Sequence, residues 1–419
     1  MLPPGRGTPR EVAERNQRER LFAAMAATVA RKGYEATAVA DLVELCGVGR
    51  SGFYRLFSDR EVCLVAAVEA LVTPALKSLP GELEAGDRET AREAFEALMA
   101  WIAEQSAAAK MCLATYSAGP AAAELAEGTL ARVEEAVGGL IDAGGADGGR
   151  MPAEIVRALL GGVLRVIHSR LYLEQEKELV ELAPALWQWF FSYPPPPTPL
   201  QSSDAPSRRA QSFGVRQARA DRPERITRAL AAIVAEKGNP EVTVAEIVAR
   251  CRMSQRTFYE FFPHAGACRV AAVAMISAKM VVATTPALRS EADWRERVRA
   301  SQEAILTFWV HEPEYARFAG IEMYERGRRM LEQREPVSEL FADLLAPGYE
   351  LAPQTPTIAT EAIGGTLEAL VFEQVKARGT VGLLELVPAC TYICLAPFLG
   401  GEEAYRIAVG GGKTVEGRI

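Results

Sequence analysis

The chain repeats itself at a fixed interval, and this limits what it can fold into more than any other feature. At an offset of 205 residues, 21 of the 50 positions from Glu19 to Val68 are identical without a gap. Gly33 meets Gly238, Val39-Ala40 meets Val244-Ala245, and Cys46 meets Cys251. Phe53-Tyr54 meets Phe258-Tyr259, Phe57 meets Phe262, and Val65-Ala66-Ala67-Val68 meets Val270-Ala271-Ala272-Val273. A shared bias toward helix formers would not keep aromatic spacing and cysteine positions together. The likeness returns late in each half. Gly161-Gly162-Val163-Leu164 corresponds to Gly364-Gly365-Thr366-Leu367, and Glu181-Leu182-Ala183-Pro184-Ala185 to Glu385-Leu386-Val387-Pro388-Ala389, at offsets of 203 and 204. Two copies are too few for a solenoid, and each is long enough to bury its own core. The expectation is a tandem duplication over nearly the whole chain.

Apolar spacing is helical almost throughout, with no alternating Val/Ile/Thr runs between turn dipeptides. The expected fold is all-α. The first half reads as helices near 15–32, 38–46, 50–56, 60–78, 88–108, 120–143, 153–176 and 178–192. The second reads as 223–237, 244–251, 255–261, 264–282, 291–310, 314–333, 336–345, 357–378 and 380–398. Between the halves, a run of four prolines from Pro194 and a polar stretch to Arg222 read as a linker. Its roughly 28 residues would span about 30 Å as a flexible coil.

Val39, Leu42, Val43 and Cys46 fall at i, i+3, i+4 and i+7 on one face of a short helix. Gly33 stands where a helix ends, Gly47-Val48-Gly49 makes a tight turn, and a second short helix follows from Arg50. That is the helix-turn-helix pattern. The second copy repeats it with Val244, Ile247, Val248 and Cys251, then Arg252-Met253-Ser254, with Thr243 and Ser254 as N-caps.

The string RERLFAAMAATVARKGYEATAVADLVELCGVGRSGFYRLFSDRE resembles the DNA-binding head of TetR-type transcriptional regulators. The copy RPERITRALAAIVAEKGNPEVTVAEIVARCRMSQRTFYEFFPH is similar and less orthodox. The resemblance implies a first DNA-binding domain at 1–60, a helical regulatory domain at 61–193 and a linker at 194–221. A second DNA-binding domain at 222–264, a second regulatory domain at 265–400 and a flexible tail at 401–419 follow. It also implies that Arg60 stands where the family places a phosphate-contacting lysine. Copy two has Ala265 there, and Glu260 in place of Arg55.

An α-helix fits the major groove, and side chains at its start reach base edges. Candidate DNA contacts are Thr37, Arg50, Ser51, Gly52, Tyr54, Arg55 and Arg60 in the first head. In the second they are Thr243, Gln255, Arg256, Thr257 and Tyr259. Net charge is −7, yet residues 1–60 carry +3 and residues 208–262 carry +5, leaving −15 elsewhere. Polyanions bind through local patches, so the overall sign does not exclude DNA. Arg6, Arg10, Arg15, Arg18 and Arg20, and Arg208, Arg209, Arg216, Arg219, Arg222 and Arg225, form either minor-groove arms beside the heads or solvated tails.

In the bodies, Trp101, Tyr116, His168 and Tyr172 are candidate effector contacts, His168 and Tyr172 sharing a face at i, i+4. Copy two offers Phe308, Trp309, Phe318, Met323 and Tyr324. Core packing accounts for the same residues. The late helices 153–176 with 178–192 and 357–378 with 380–398 are the most apolar pairs, and their Gly-Gly steps permit close approach. In TetR-like proteins this pair makes a four-helix dimer interface, here expected inside one chain as a pseudo-dimer; a homodimer is the competing arrangement.

Catalytic motifs are missing. Three scattered histidines give no Ser-His-Asp order and no HExxH, and seven cysteines form no CxxC pair. Neither an enzyme, a metal site nor a cofactor is expected, and the cysteines read as buried and unreactive. The N-terminal stretch has no apolar run of a secretory signal, and the most apolar segment, Leu383 to Leu399, is short and interrupted by Glu385, Pro388 and Pro397. No membrane partner is expected, and the cytoplasm is the expected compartment. The function implied is a DNA-binding regulator, a repressor released by a small apolar or amphipathic effector. The alternative is a small-molecule binding or sequestering protein whose heads have weakened DNA binding.

Overall fold

The computed structural model describes residues 10–77, 88–143, 151–200, 221–238, 242–290, 292–322 and 328–410. Every regular element among them is helical, so the fold is all-α. The chain runs through α1 (Arg10–Lys32), α2 (Val39–Cys46), α3 (Arg50–Leu56), α4 (Arg60–Leu71), α5 (Thr73–Lys77), α6 (Arg88–Glu104), α7 (Ser106–Leu113), α8 (Thr115–Ala118), α9 (Pro120–Ala143), α10 (Ala153–Tyr172) and α11 (Glu178–Phe190). It continues through α12 (Arg222–Lys237), α13 (Val244–Cys251), α14 (Gln255–Tyr259), α15 (Ala265–Leu288), α16 (Trp294–His311), α17 (Pro313–Glu322), α18 (Arg328–Glu332), α19 (Glu335–Leu351), α20 (Ala359–Arg378), a 3-10 turn at Leu383–Leu386, α21 (Val387–Leu399) and α22 (Gly401–Ala408).

Two compact units emerge, one of Met1–Ala136 with Leu173–Ala183, the other of Val137–Tyr172 with Pro184–Ile419. In the first, Leu21 and Met25 of α1, Leu42 of α2, Phe53 of α3, Cys63 and Leu64 of α4 and Met111 of α7 share one core and are fully buried. Burying side chains of this size contributes roughly 1.5–3 kcal/mol apiece. The helix expected at 60–78 divides at Val72, because Pro74 has no N–H to continue the ladder. Across this unit the Glu61 carboxylate accepts from the backbone N–H groups of Ala121 and Ala122, at 2.7 and 3.1 Å, at the start of α9.

The second unit contains α10 together with α12–α22, and its centre is the crossing of α10 and α20. Both helices place glycines where they touch. A Cβ built on Gly162 would lie 2.5 Å from the Ala362 carbonyl oxygen, and one on Gly365 would lie 2.3 Å from the Arg165 Cβ. Fully buried Trp189 closes over Gly162. The Tyr193 hydroxyl donates to the Ile393 carbonyl at 2.9 Å, and the Tyr392 hydroxyl donates to the Pro194 carbonyl at 2.5 Å. The first prolines of the expected linker are therefore docked against α21, while 201–220 lie outside the described residues. Helix α15 is long and apolar enough to cross a membrane by length and composition alone. It packs against α12, α16 and α19 in the bundle.

Two further expectations need correcting. The tail expected from 401 begins as a helix, because Ala404 and Ala408 recur at i, i+4 and are completely buried; residues 411–419 lie outside the described residues. The first arginine arm is no arm from Arg10 onward, since α1 begins there, and Arg222 and Arg225 likewise lie on α12. Arg6, Arg208, Arg209, Arg216 and Arg219, and Met323 and Tyr324, are outside the described residues.

All seven cysteines are free thiols, and six are buried. Burial pushes the Cys63 and Cys268 thiols up to about 12, which leaves them un-ionised and unreactive at neutral pH.

The glycine crossing yields an internal control. A Cβ on Gly364 would meet Phe341 at 3.8 Å, an ordinary contact. Gly364→Ala should raise stability by about 0.5–1 kcal/mol through helix propensity. Gly365→Ala should lower it by about 1–3 kcal/mol through overpacking. Urea denaturation of the two variants checks both signs.

Candidate nucleic-acid interface

In each head the short helix after the turn plants one aromatic in the core. Phe53 is completely buried in α3 and Phe258 in α14, and Leu56 packs against the core of the first head, which leaves the polar residues of these helices outward. Arg50, Ser51, Tyr54 and Arg55 are exposed on the first, and Gln255, Arg256 and Tyr259 on the second. Tyr54 and Tyr259 are 52% and 54% exposed, high for rings with no apolar reason to face water. Gly52 and Thr257 are half-buried. The second reading helix is shorter than expected, ending at Tyr259 instead of 261.

The same bonds recur in both heads at the offset of 205. The Arg20 guanidinium donates to the Cys46 carbonyl, and Arg225 donates to the Cys251 carbonyl at 3.2 Å. Lys32 pairs with Asp41 at 2.6 Å, and Lys237 with Glu246 at 2.6 Å. The Phe53 and Tyr54 rings meet edge-on at 5.3 Å, Phe258 and Tyr259 at 5.5 Å. The Asp59 carboxylate caps α4 by accepting from Val62 N–H at 2.9 Å, and His264 Nδ1 caps α15 by accepting from Ala267 N–H at 3.1 Å. The turn before each reading helix needs a left-handed residue. Gly47 supplies it at φ 64°, and Arg252 adopts φ 51° in the second head despite its side chain. Thr243 caps α13 with a complete capping box to Glu246, whereas Ala38 leaves α2 with the Asp41 half alone.

Outward chemistry differs between the heads. α3 carries Arg50 and Arg55 and no acid, and Arg55 donates to Gln17 at 2.7 Å. On the second head Arg256 lies 3.8 Å from Glu260, with 91% and 51% of the two side chains exposed. A carboxylate beside the reading helix weakens its attraction to phosphate.

Two expected DNA contacts face the protein. Thr37 is buried, and its hydroxyl donates to the Gly33 carbonyl at 2.7 Å, so it holds the α1–α2 connection and is not offered to DNA. Arg60 is not a free cation. Its guanidinium stacks over the Tyr34 ring at 4.0 Å and donates to the carbonyls of Tyr34 at 3.0 Å and Thr37 at 2.5 Å. The expected effector contacts divide. Trp101 packs against the core of the first unit and Tyr116 is half-buried there. His168 and Tyr172 lie in the second unit, rings stacked at 4.4 Å and 30°. Arg20 and Arg225, which the sequence offers only as arm or tail residues, hold the heads together, and Glu61, which carries no sequence signal, ties the first head to α9. Identity of the two arginines across the repeat was the available signal.

Residues 21–67 match the family model described as bacterial regulatory proteins, tetR family. The first head is of the tetR type. The span matched does not include the second head. No curated protein matches the chain. One solved structure, of the fatty acid degradation regulator FadR from Bacillus halodurans, aligns with 17% identity and a TM-score of 0.39, covering 43% of this chain and 95% of that one. So slight a likeness places none of the remaining helices in the tetR family.

A stability measurement separates the two kinds of arginine in the tetR-type head. Arg60→Ala should destabilise the first unit by about 1–3 kcal/mol, since charge-assisted hydrogen bonds to backbone are lost. Arg50→Ala should leave the thermal midpoint unchanged. Equal melting of the two variants would contradict the inward role of Arg60.

Proposed function

We propose that the chain is a sequence-specific DNA-binding transcriptional regulator of cytoplasmic location, a repressor released by a small apolar or amphipathic effector. Two tandem heads on one polypeptide would replace the two subunits of a dimeric regulator. The observation that carries this reading is the tetR-family match over a head whose reading helix exposes Arg50, Ser51, Tyr54 and Arg55. Recurrence of the same internal bonds in the second head supports its descent from the same domain.

Arg50 suits guanine, and Gln255 with Arg256 suits adenine and guanine, through paired hydrogen bonds in the major groove. Tyr54, Tyr259 and Arg55 would position the heads on phosphate. In the helical bodies, Trp101, Tyr116, His168 and Tyr172 remain the proposed effector contacts. Each head is tied to helices beyond it, by Glu61 to α9 in the first unit and by Arg228 to Glu312 at 2.7 Å in the second. Such ties would let a ligand in the body bias its head. Effector and DNA would then weaken each other by the same factor.

A second reading is a small-molecule sequestering protein with weakened DNA binding. Glu260 and Ala265 in the second head favour it. Salt-dependent capture of genomic fragments by the purified chain separates the readings: a common sequence enriched at moderate salt supports the regulator, and its absence supports sequestration.

The reading helices differ at each of their first three positions, so the two half-sites should differ. Arg50→Ala should cost about 1–3 kcal/mol and relax base choice in one half-site, and Gln255→Ala in the other. Footprinting on the enriched fragments checks this. A perfect palindrome protected symmetrically by one chain would contradict it.

A further inference from the structure

Three ion pairs cross from α10 to α20, and all run in one sense. Arg157 meets Glu373 at 3.5 Å, Arg165 meets Glu368 at 3.3 Å, and Arg170 meets Glu361 at 3.0 Å. Ser169 adds its hydroxyl to Glu361, and Arg334 reaches Glu368 from α19's N-terminal side. Every arginine of these three pairs stands on α10 and every glutamate on α20. The residue order shows that the two helices run antiparallel.

The late repeat turns this into a statement about partners. At the offset of 203 that aligns Gly161-Gly162 with Gly364-Gly365, Arg165 is the counterpart of Glu368, and Arg170 is the counterpart of Glu373. Replacing α20 by a second α10 in the same geometry would set Arg165 against Arg165 and Arg157 against Arg170. Replacing α10 by a second α20 would set Glu368 against Glu368 and Glu361 against Glu373. Only 13% of the Arg165 side chain and 15% of the Arg170 side chain is exposed, so water screens such clashes poorly. Like charges placed opposite each other reject a partner more strongly than matched charges attract one.

We propose that this interface is charge-sorted: Arg157, Arg165 and Arg170 against Glu361, Glu368 and Glu373 admit the late helix of the unlike half and reject the equivalent helix of a second copy. The partner that fits is the chain's own α20, which tethering presents at roughly millimolar effective concentration. The inference rests on the two-half reading of the chain and on nothing about DNA. Close glycine packing alone would accept any of the three pairings. The charges select one.

Two complementary full-length variants test it. The first carries Arg157→Glu, Arg165→Glu and Arg170→Glu, making both faces acidic. The second carries Glu361→Arg, Glu368→Arg and Glu373→Arg, making both basic. Alone, neither can dock its halves, and each should melt well below the wild type. Mixed one to one, they should pair in trans and give by light scattering a species of about twice the 45.4 kDa chain, absent from either sample alone. A chain with all six changes should regain the wild-type mass and melting point. The proposal is overturned if either variant alone keeps wild-type mass and stability, or if the mixture forms no such species while the six-fold variant folds. Should the triple variants precipitate, Arg170→Glu and Glu361→Arg decide the matter: each should lower the melting temperature and the two together should restore more than half the loss, and no recovery overturns the proposal. A wild type already at twice the chain mass, with the mixed variants still reassembling, would sink the single-chain reading and support the charge sorting. Absence of DNA binding would leave all these masses unchanged.

Discussion

The second unit turns on the crossing of α10 and α20, where glycines on both helices let one backbone lie against another. Ion pairs of 3.0–3.5 Å can form on both sides of that point only because the helices are so near. A methyl group at Gly162 or Gly365 overlaps backbone or the first side-chain carbon of the neighbour, which cannot swing aside as the end of a long side chain can. Trp189 packs over Gly162 at the same point. Helix α10 and the end of α11, both from the first half of the sequence, thereby become part of a unit made otherwise from the second. Selectivity of that contact then comes from charge, because packing of small residues is indifferent to which copy supplies them.

The heads divide along a similar line between scaffold and surface. Buried positions are alike in the two copies: Cys46 and Cys251, Phe53 and Phe258, Cys63 and Cys268 are all hidden. Core volume and turn geometry constrain these residues in both. At the surface the copies part, with Arg50 against Gln255, Ser51 against Arg256 and Arg55 against Glu260. No packing constraint acts there, so the differences are free to follow a ligand. Base contacts specify and phosphate contacts position, which makes the exposed differences the ones that matter for an operator. Arg252 shows the limit of this freedom: a non-glycine residue is tolerated in a left-handed turn, where an L side chain costs about 1–2 kcal/mol.

Much of this was legible beforehand. The helices of the heads were, because Gly33, the apolar spacing of Val39, Leu42 and Cys46, and the turn at Gly47 are local signals. The stacking of His168 on Tyr172 was visible as an i, i+4 pair. Direction of side chains was not visible. Thr37 and Arg60 are both candidate DNA contacts in the sequence, yet their bonds reach carbonyls of the α1–α2 connection, a matter of backbone placement that no spacing reveals. The bonds from Glu61 to α9 span sixty residues and carry no pattern. Helix α22 was mistaken for tail because Glu402, Glu403 and Arg406 dominate its composition, while the alanines that anchor it are small. The arginine-rich start, open in the sequence between arm and tail, belongs to α1 from Arg10 onward, where Arg18 lies 5.0 Å over the Phe57 ring.

The central claim is that one polypeptide supplies both heads for one operator. Native mass spectrometry of the chain on a DNA duplex selected from genomic fragments measures this directly. The account predicts one 45.4 kDa chain per duplex, with Arg50→Ala and Gln255→Ala each weakening that one-to-one complex. A complex holding two chains per duplex, with no one-to-one species at limiting protein, would contradict it.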